Sequence, residues 1–207
     1  MIKPLLYFIA LLLIFNHPLL AQKNYETGYI VTNEGDTLHG KIKARRDLQM
    51  ASSVKFINLK GKKSTKSASE LSAYQISNTT YHSFPLVSGV QNKMTFLRLE
   101  AAGAVNLYYV EVEFSDTETT PALSQDFKTV EPPQGIPNAN DGNNLYLNRH
   151  KSRDLTLVER SFFKIIIQNF FGDDQEIVKK VNNRTYRFDD LKDIVEEYNQ
   201  RHPLPRE

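Results

Sequence analysis

The chain has no cysteine and no tryptophan among its 207 residues. Without cysteine there is no disulfide framework, thiol catalysis, cysteine-type zinc site or lipid anchor through an N-terminal Cys, so stability has to come from core packing. Charge of one sign is also lacking: 26 Lys and Arg stand against 24 Asp and Glu, a formal net charge of +2. That balance argues against a general nucleic-acid binder, which would need a basic excess. Among short motifs, there is no Gly-x-Ser-x-Gly elbow, no His-Glu-x-x-His, no P-loop and no Gly-x-Gly-x-x-Gly. The histidines beyond the leader, His39, His82, His150 and His202, have no second His at short ligand spacing. No metal site and no cofactor is expected.

The leader is the clearest positive feature. Lys3 supplies a basic start, Pro4 to Phe15 is almost unbroken apolar sequence, Asn16-His17-Pro18 breaks it, and Ala21 is small enough for a cleavage site. A run of about a dozen apolar residues falls short of the roughly 20 that a bilayer requires. Residues 1–21 therefore read as a signal peptide, and the alternative of a membrane anchor is weakened by the Asn-His-Pro break. The expected protein is exported, in the periplasm or associated with an outer membrane. No transmembrane segment is expected after cleavage: the longest later apolar cluster, Phe162 to Phe171, is interrupted by Lys164, Gln168 and Asn169.

The pattern over residues 22–160 is β-rich. Residues 28–32 and 37–43 form a hairpin around Asn33-Glu34-Gly35-Asp36. Within it Leu38, Gly40 and Ile42 share one face, and His39, Lys41 and Lys43 share the other. Gly40 predicts a bulge or the close approach of another strand. Further strands are expected at 54–59, around Leu71, Tyr74 and Ile76, at 79–86, at 93–100 paired with 105–114, and near 144–147 and 155–158. Residues 62–69 could extend a hairpin. The Pro- and Asn-rich stretch at about 115–144 has little to bury and reads as a mobile insertion.

Residues 161–207 read as helical and packed on the same domain. Ser161 is placed to cap a helix ending at Gly172, and Asp173 with Glu176 to cap a second. Asp189 or Asp190 would start a third, with Leu191, Ile194, Val195 and Tyr198 in one apolar stripe. The expected fold class is α+β: a mainly antiparallel sheet or open β-barrel of seven or eight strands, followed by two or three short C-terminal helices.

Several of these segments carry a resemblance. Gly28-Tyr29-Ile30-Val31, Gly35-Asp36-Thr37 and Gly40-Lys41-Ile42 open the chain; Phe96-Leu97, Gly103 and Leu107-Tyr108 follow more weakly. The tail adds Tyr186, Asp190-Leu191, Ile194-Val195 and Tyr198-Asn199. The pattern resembles an uncharacterised family of exported, signal-peptide-bearing proteins of Bacteroidota. The resemblance implies an envelope location in a Gram-negative bacterium and carries no function with it. Members carry a Cys near the start of the second tail helix where this chain has Asp173 and Asp174, so a thiol role does not transfer.

Two constellations could do chemistry. Glu111 and Glu113 lie i, i+2, on one strand face about 7 Å apart, the only nameable pair for glycoside hydrolysis. The stronger asymmetry is basic: His39, Lys41, Lys43, Arg45, Arg46 and Lys55, with Lys60, Lys62, Lys63 and Lys66 beyond, are opposed in sequence only by Asp47. Such a surface could attract lipid phosphates or acidic glycans, or simply be a solvated edge that resists aggregation. The function expected first is therefore a non-enzymatic binding or interaction module of the cell envelope, its partner an envelope protein, a glycan or an anionic lipid. The alternatives are a glycan-directed hydrolase and a periplasmic lipid or small-molecule carrier.

Overall fold

The computed structural model describes residues 24–88, 91–111 and 143–205. The proposed signal peptide at 1–21 lies outside them, as do Glu113 and nearly all of the 115–144 insertion. Ten strands form one antiparallel sheet: β1 (Tyr25–Thr32), β2 (Thr37–Lys43), β3 (Ser53–Asn58), β4 (Lys63–Ser67), β5 (Leu71–Ile76), β6 (Thr79–Ser88), β7 (Gln91–Ala101), β8 (Val105–Glu111), β9 (Asn143–Arg149) and β10 (Thr156–Leu157). Their order is β10-β9-β8-β7-β6-β5-β1-β2-β3-β4, and the sheet does not close. A one-turn helix α1 (Asp47–Met50) links β2 to β3, and α2 (Phe163–Phe171), α3 (Gln175–Asn182) and α4 (Leu191–Arg201) follow the sheet, with single 3-10 turns at Arg160–Phe162 and Phe188–Asp190. The chain is thus α+β, as its periodicities predict.

One connection bends the sheet. From the last residue of β4, Ser67, to the first of β5, Leu71, is four Cα steps, a reach of at most about 14 Å. In a flat sheet those strands would stand four spacings apart, about 19 Å. The first five strands must therefore curl. The corner is strapped down by Ala68 N–H to the Ser52 carbonyl (2.9 Å), Ser83 Oγ to the Ala68 carbonyl (2.5 Å) and Asn33 Nδ2 to the Ser69 carbonyl (2.7 Å). Gly28 and Gly40, paired across β1 and β2, make the curvature possible. A Cβ on Gly28 would strike the Gln75 carbonyl, and one on Gly40 the Ile57 carbonyl and the Phe56 ring. Gly40 therefore marks a close approach, as its position in the alternation suggests.

The inside of the curl is filled by Ile30, Ile42, Val54, Phe56, Leu71 and Tyr74. Tyr74 stacks on Tyr81 at 4.5 Å and meets the edge of Phe96 at 4.8 Å. A second core lies where the helices cover β7 to β9. Val105, Leu107 and Leu147 from the sheet meet Phe163, Ile167 and Phe171 of α2, Ile177 and Val181 of α3, and Leu191, Ile194, Val195 and Tyr198 of α4. The apolar stripe read in the last helix is thus the packing face. On the other side of the same strands Phe84, Leu97, Tyr108 and Val110 form a smaller cluster.

Local details of the tail differ from expectation. Ser161 lies inside a 3-10 turn and caps nothing. Gly172 has φ of −64°, so it ends α2 without the left-handed turn that favours glycine. The cap of α3 is Asp174, one residue later than the Asp173–Glu176 pattern suggests; its carboxylate accepts from the N–H groups of Glu176 (3.2 Å) and Ile177 (3.3 Å). Capping geometry fixes which of two adjacent Asp residues faces the orphan N–H groups, and spacing alone does not resolve that.

Candidate functional site: a basic outer face on the curled sheet

Strand register assembles the predicted basic residues. Side chains at odd positions on β1 to β3 point away from the core formed by Ile30, Ile42 and Phe56. In β-sheet register Thr27, Lys41, Ile57 and Lys63 form one row across four strands. Tyr25 pairs with Lys43, and Lys55 with Thr65; the β2–β3 register carries Lys43 and Lys55 into the same neighbouring row. Tyr29 pairs with His39, and their rings meet edge to face at 5.8 Å. Adjacent strands lie about 4.8 Å apart and i, i+2 side chains about 7 Å apart, so the ammonium groups form a patch rather than a scatter.

Two acids near this run are engaged elsewhere. Asp47, the lone opposing charge in the run, points inward and binds Arg98 Nη1 and the Tyr81 hydroxyl (2.7 Å), while Arg98 also reaches Glu100. Glu70 bonds the Ser67 N–H (2.9 Å) and Lys66 Nζ (3.0 Å), which hold its carboxyl down at about 2. The outward rows from Tyr25 to Thr65 therefore carry no carboxylate among the described residues. Arg45 and Arg46 extend from the exposed link into α1.

Sequence reading named Lys63 in the basic run but missed Tyr25 and Tyr29 as members of this face. The hairpin that residues 62–69 could extend is the β3–β4 pair, although the β4 strand Lys-Ser-Thr-Lys-Ser has no apolar alternation. Its turn is set by Gly61, with φ of +80°, and by Asn58 Oδ1 accepting from Lys60 and Lys62 N–H at 3.0 and 2.9 Å.

Glu111 has a different neighbour from the one hydrolysis requires. Its Oε2 accepts the Leu48 N–H at 3.1 Å, at the start of α1, so it satisfies one of the orphan donors there. Glu113 lies outside the described residues.

A separate groove of about 430 Å³ runs between β5–β6 and the β9–β10 turn. His82 Nδ1 and the Tyr108 hydroxyl share a hydrogen bond of 2.7 Å at its base. Burial lowers the His82 pKa and raises that of Tyr108 to about 12. His150, Lys151 and Arg153 line it, but no carboxylate does. Arg149, the other cation of that turn, reaches instead to the Phe170 carbonyl (2.6 Å) and the Tyr198 hydroxyl (3.1 Å). Among the described residues no three His, Asp or Glu side chains converge on a metal-binding geometry, and no helix is long and apolar enough to cross a membrane.

The architecture and the face together define a class: a curled antiparallel sheet with a helical cover on one half and an uncovered basic face on the other. Comparison with known proteins returns no matching family model, no matching curated protein and no matching solved structure.

Proposed function

We propose that this chain is an exported, non-enzymatic module of the cell envelope that binds an anionic glycan on the outer face of β1 to β4. The observation that carries the reading is the register: Lys41, Lys43, Lys55 and Lys63 occupy two neighbouring rows, flanked by Tyr25 and Tyr29, with no carboxylate among the described residues of those rows. Cations at such spacing attract a repeating anion, and tyrosine rings offer apolar faces with a polar tip to sugar rings. Two further features support it. The leader reads as a signal peptide, and the chain resembles exported proteins of Bacteroidota in Gly28-Tyr29-Ile30-Val31 and the motifs that follow. A hydrolase draws less support because Glu111 is engaged at α1. A carrier draws less because the inside of the curl is filled by Tyr74, Phe56 and Phe96.

The test is binding to acidic and neutral polysaccharides across a salt series. Affinity for the acidic polymer should fall steeply with salt, and Lys41→Glu with Lys43→Glu should lower it further. Equal binding to neutral polymer, or indifference to both salt and the double substitution, would sink the proposal.

A further inference from the structure

A second surface, on the helical half, combines charge with exposed apolar side chains. Phe163, Ile167 and Phe171 bury one side of α2 against the sheet and its neighbouring helices. Phe162 and Ile165 face away: they remain 49 % and 57 % exposed. A helix that is apolar beyond its packing stripe has more than one apolar environment to fill. Beside these two residues the chain turns tightly after α3, with the Thr185 and Tyr186 N–H groups both returning to the Lys180 carbonyl (2.9 and 3.1 Å). The turn is pinned by the Tyr186 hydroxyl on Glu197 (2.5 Å). It sets Arg184 and Arg187 against Lys164 around a shallow depression of about 510 Å³ that no carboxylate lines. Two acids beside it have partners: Asp189 binds Arg160 at 2.9 Å, and Asp190 accepts the Arg187 N–H at 2.8 Å.

We infer that this rim docks on an anionic lipid surface, with Phe162 and Ile165 entering the headgroup boundary and Lys164, Arg184 and Arg187 at the level of the phosphates. Charge complementarity selects the occupant. A soluble anion would satisfy the cations but leave two large apolar side chains in water. A neutral apolar partner would leave three cations facing it. A layer of anionic headgroups over acyl chains meets both requirements at once. This surface is separate from the β1–β4 face, so either proposal can fail alone.

The absence of tryptophan allows a direct test. Phe162→Trp places a single indole at the rim, and Leu59→Trp, on the β3–β4 turn, serves as control. Vesicles of phosphatidylethanolamine with phosphatidylglycerol should blue-shift the emission of Phe162→Trp and leave that of Leu59→Trp unchanged; phosphatidylcholine vesicles should shift neither. Arg184→Glu with Arg187→Glu should reduce partitioning about tenfold or more, as should Phe162→Ser with Ile165→Ser, while Lys41→Glu with Lys43→Glu should reduce it less than either. No shift with anionic vesicles overturns the inference. So does an equal shift with inorganic phosphate alone, or loss of partitioning only in the Lys41 and Lys43 variant. Phe162→Trp gives its reading in an otherwise intact chain, so misfolding of a double variant leaves the test decisive.

Discussion

The two halves of the sheet bury their apolar faces in different ways. From β1 to β5 the sheet folds over itself, and its inner side chains pack against one another. From β7 to β9 the sheet packs under helices that the chain adds afterwards. The first solution needs no cover, so its outer side remains a surface and can hold like charges. The second places its exposed features on the helices, where Phe162 and Ile165 stand out. The two halves are joined on one face by Asp47, Arg98 and Tyr81, with Arg98 lying 4.3 Å from the Tyr109 ring centre. Function is thus proposed on the outside of the self-packed half and on the rim of the covered half, each where that mode of burial leaves surface unused.

The sharpest way to break this comparison is at the curl. Gly40→Val puts side-chain atoms into the Ile57 carbonyl and the Phe56 ring, and should cost about 3 kcal/mol or more in urea unfolding. Thr37→Val, at an exposed position of the same strand, should cost no more than about 0.5 kcal/mol. Equal costs would mean that the self-packed half does not depend on the close approach at Gly40.

Next comes the tie that fastens the helical cover. Asn199 pairs with the main chain of Val105 in both directions, Oδ1 accepting the N–H at 2.9 Å and Nδ2 donating to the carbonyl at 2.7 Å. Asn199→Ala leaves both groups unpaired at a buried residue, an expected loss of about 2 kcal/mol. Hydrogen exchange should quicken in α4 and β8 and stay unchanged in β1 to β3. Equal loosening of both halves would show that the two cores form one cooperative unit.

A smaller effect should follow pH. His82 is partly buried and desolvation lowers its pKa from 6.5, so the unfolded chain takes up the proton more readily than the folded one. Stability from this group is complete above about 6.5 and declines as pH falls below that value. His82→Gln should flatten the melting temperature between neutral and mildly acidic pH. An unchanged slope would remove His82 as its source. The smallest stability change is expected on the outer face: Lys41→Glu with Lys43→Glu should shift unfolding by no more than about 0.5 kcal/mol while weakening anion binding. A large loss of stability would make those lysines structural and undo the contrast between the halves.

Much of the fold was legible because period and punctuation agree. The β2 alternation, the turn at Gly35 and the stripe Leu191, Ile194, Val195, Tyr198 each report a local preference that packing then reinforces. What escaped was non-local. β4 lacks apolar alternation, so residues 62–69 read only as a stretch that could extend a hairpin, and it is pairing with β3 that fixes the strand and its register. Glu111 looked like a catalytic candidate because nothing in sequence shows that Leu48 presents it with an N–H. Asp47 looked like a counter-charge to the lysines until Arg98, far along the chain, drew it inward.

By itself the sequence determined the α+β class, the face on which His39, Lys41 and Lys43 stand, and the exclusion of thiol chemistry, because residue identity and a period of two or 3.6 act within a few residues. Only the tertiary structure decided that Lys55 and Lys63 join them, that Asp47 and Glu70 are engaged elsewhere, and that Arg184 and Arg187 meet Phe162. Those facts depend on strand register and on how a three-residue link curls the sheet, and both are set by contacts between residues far apart in the chain.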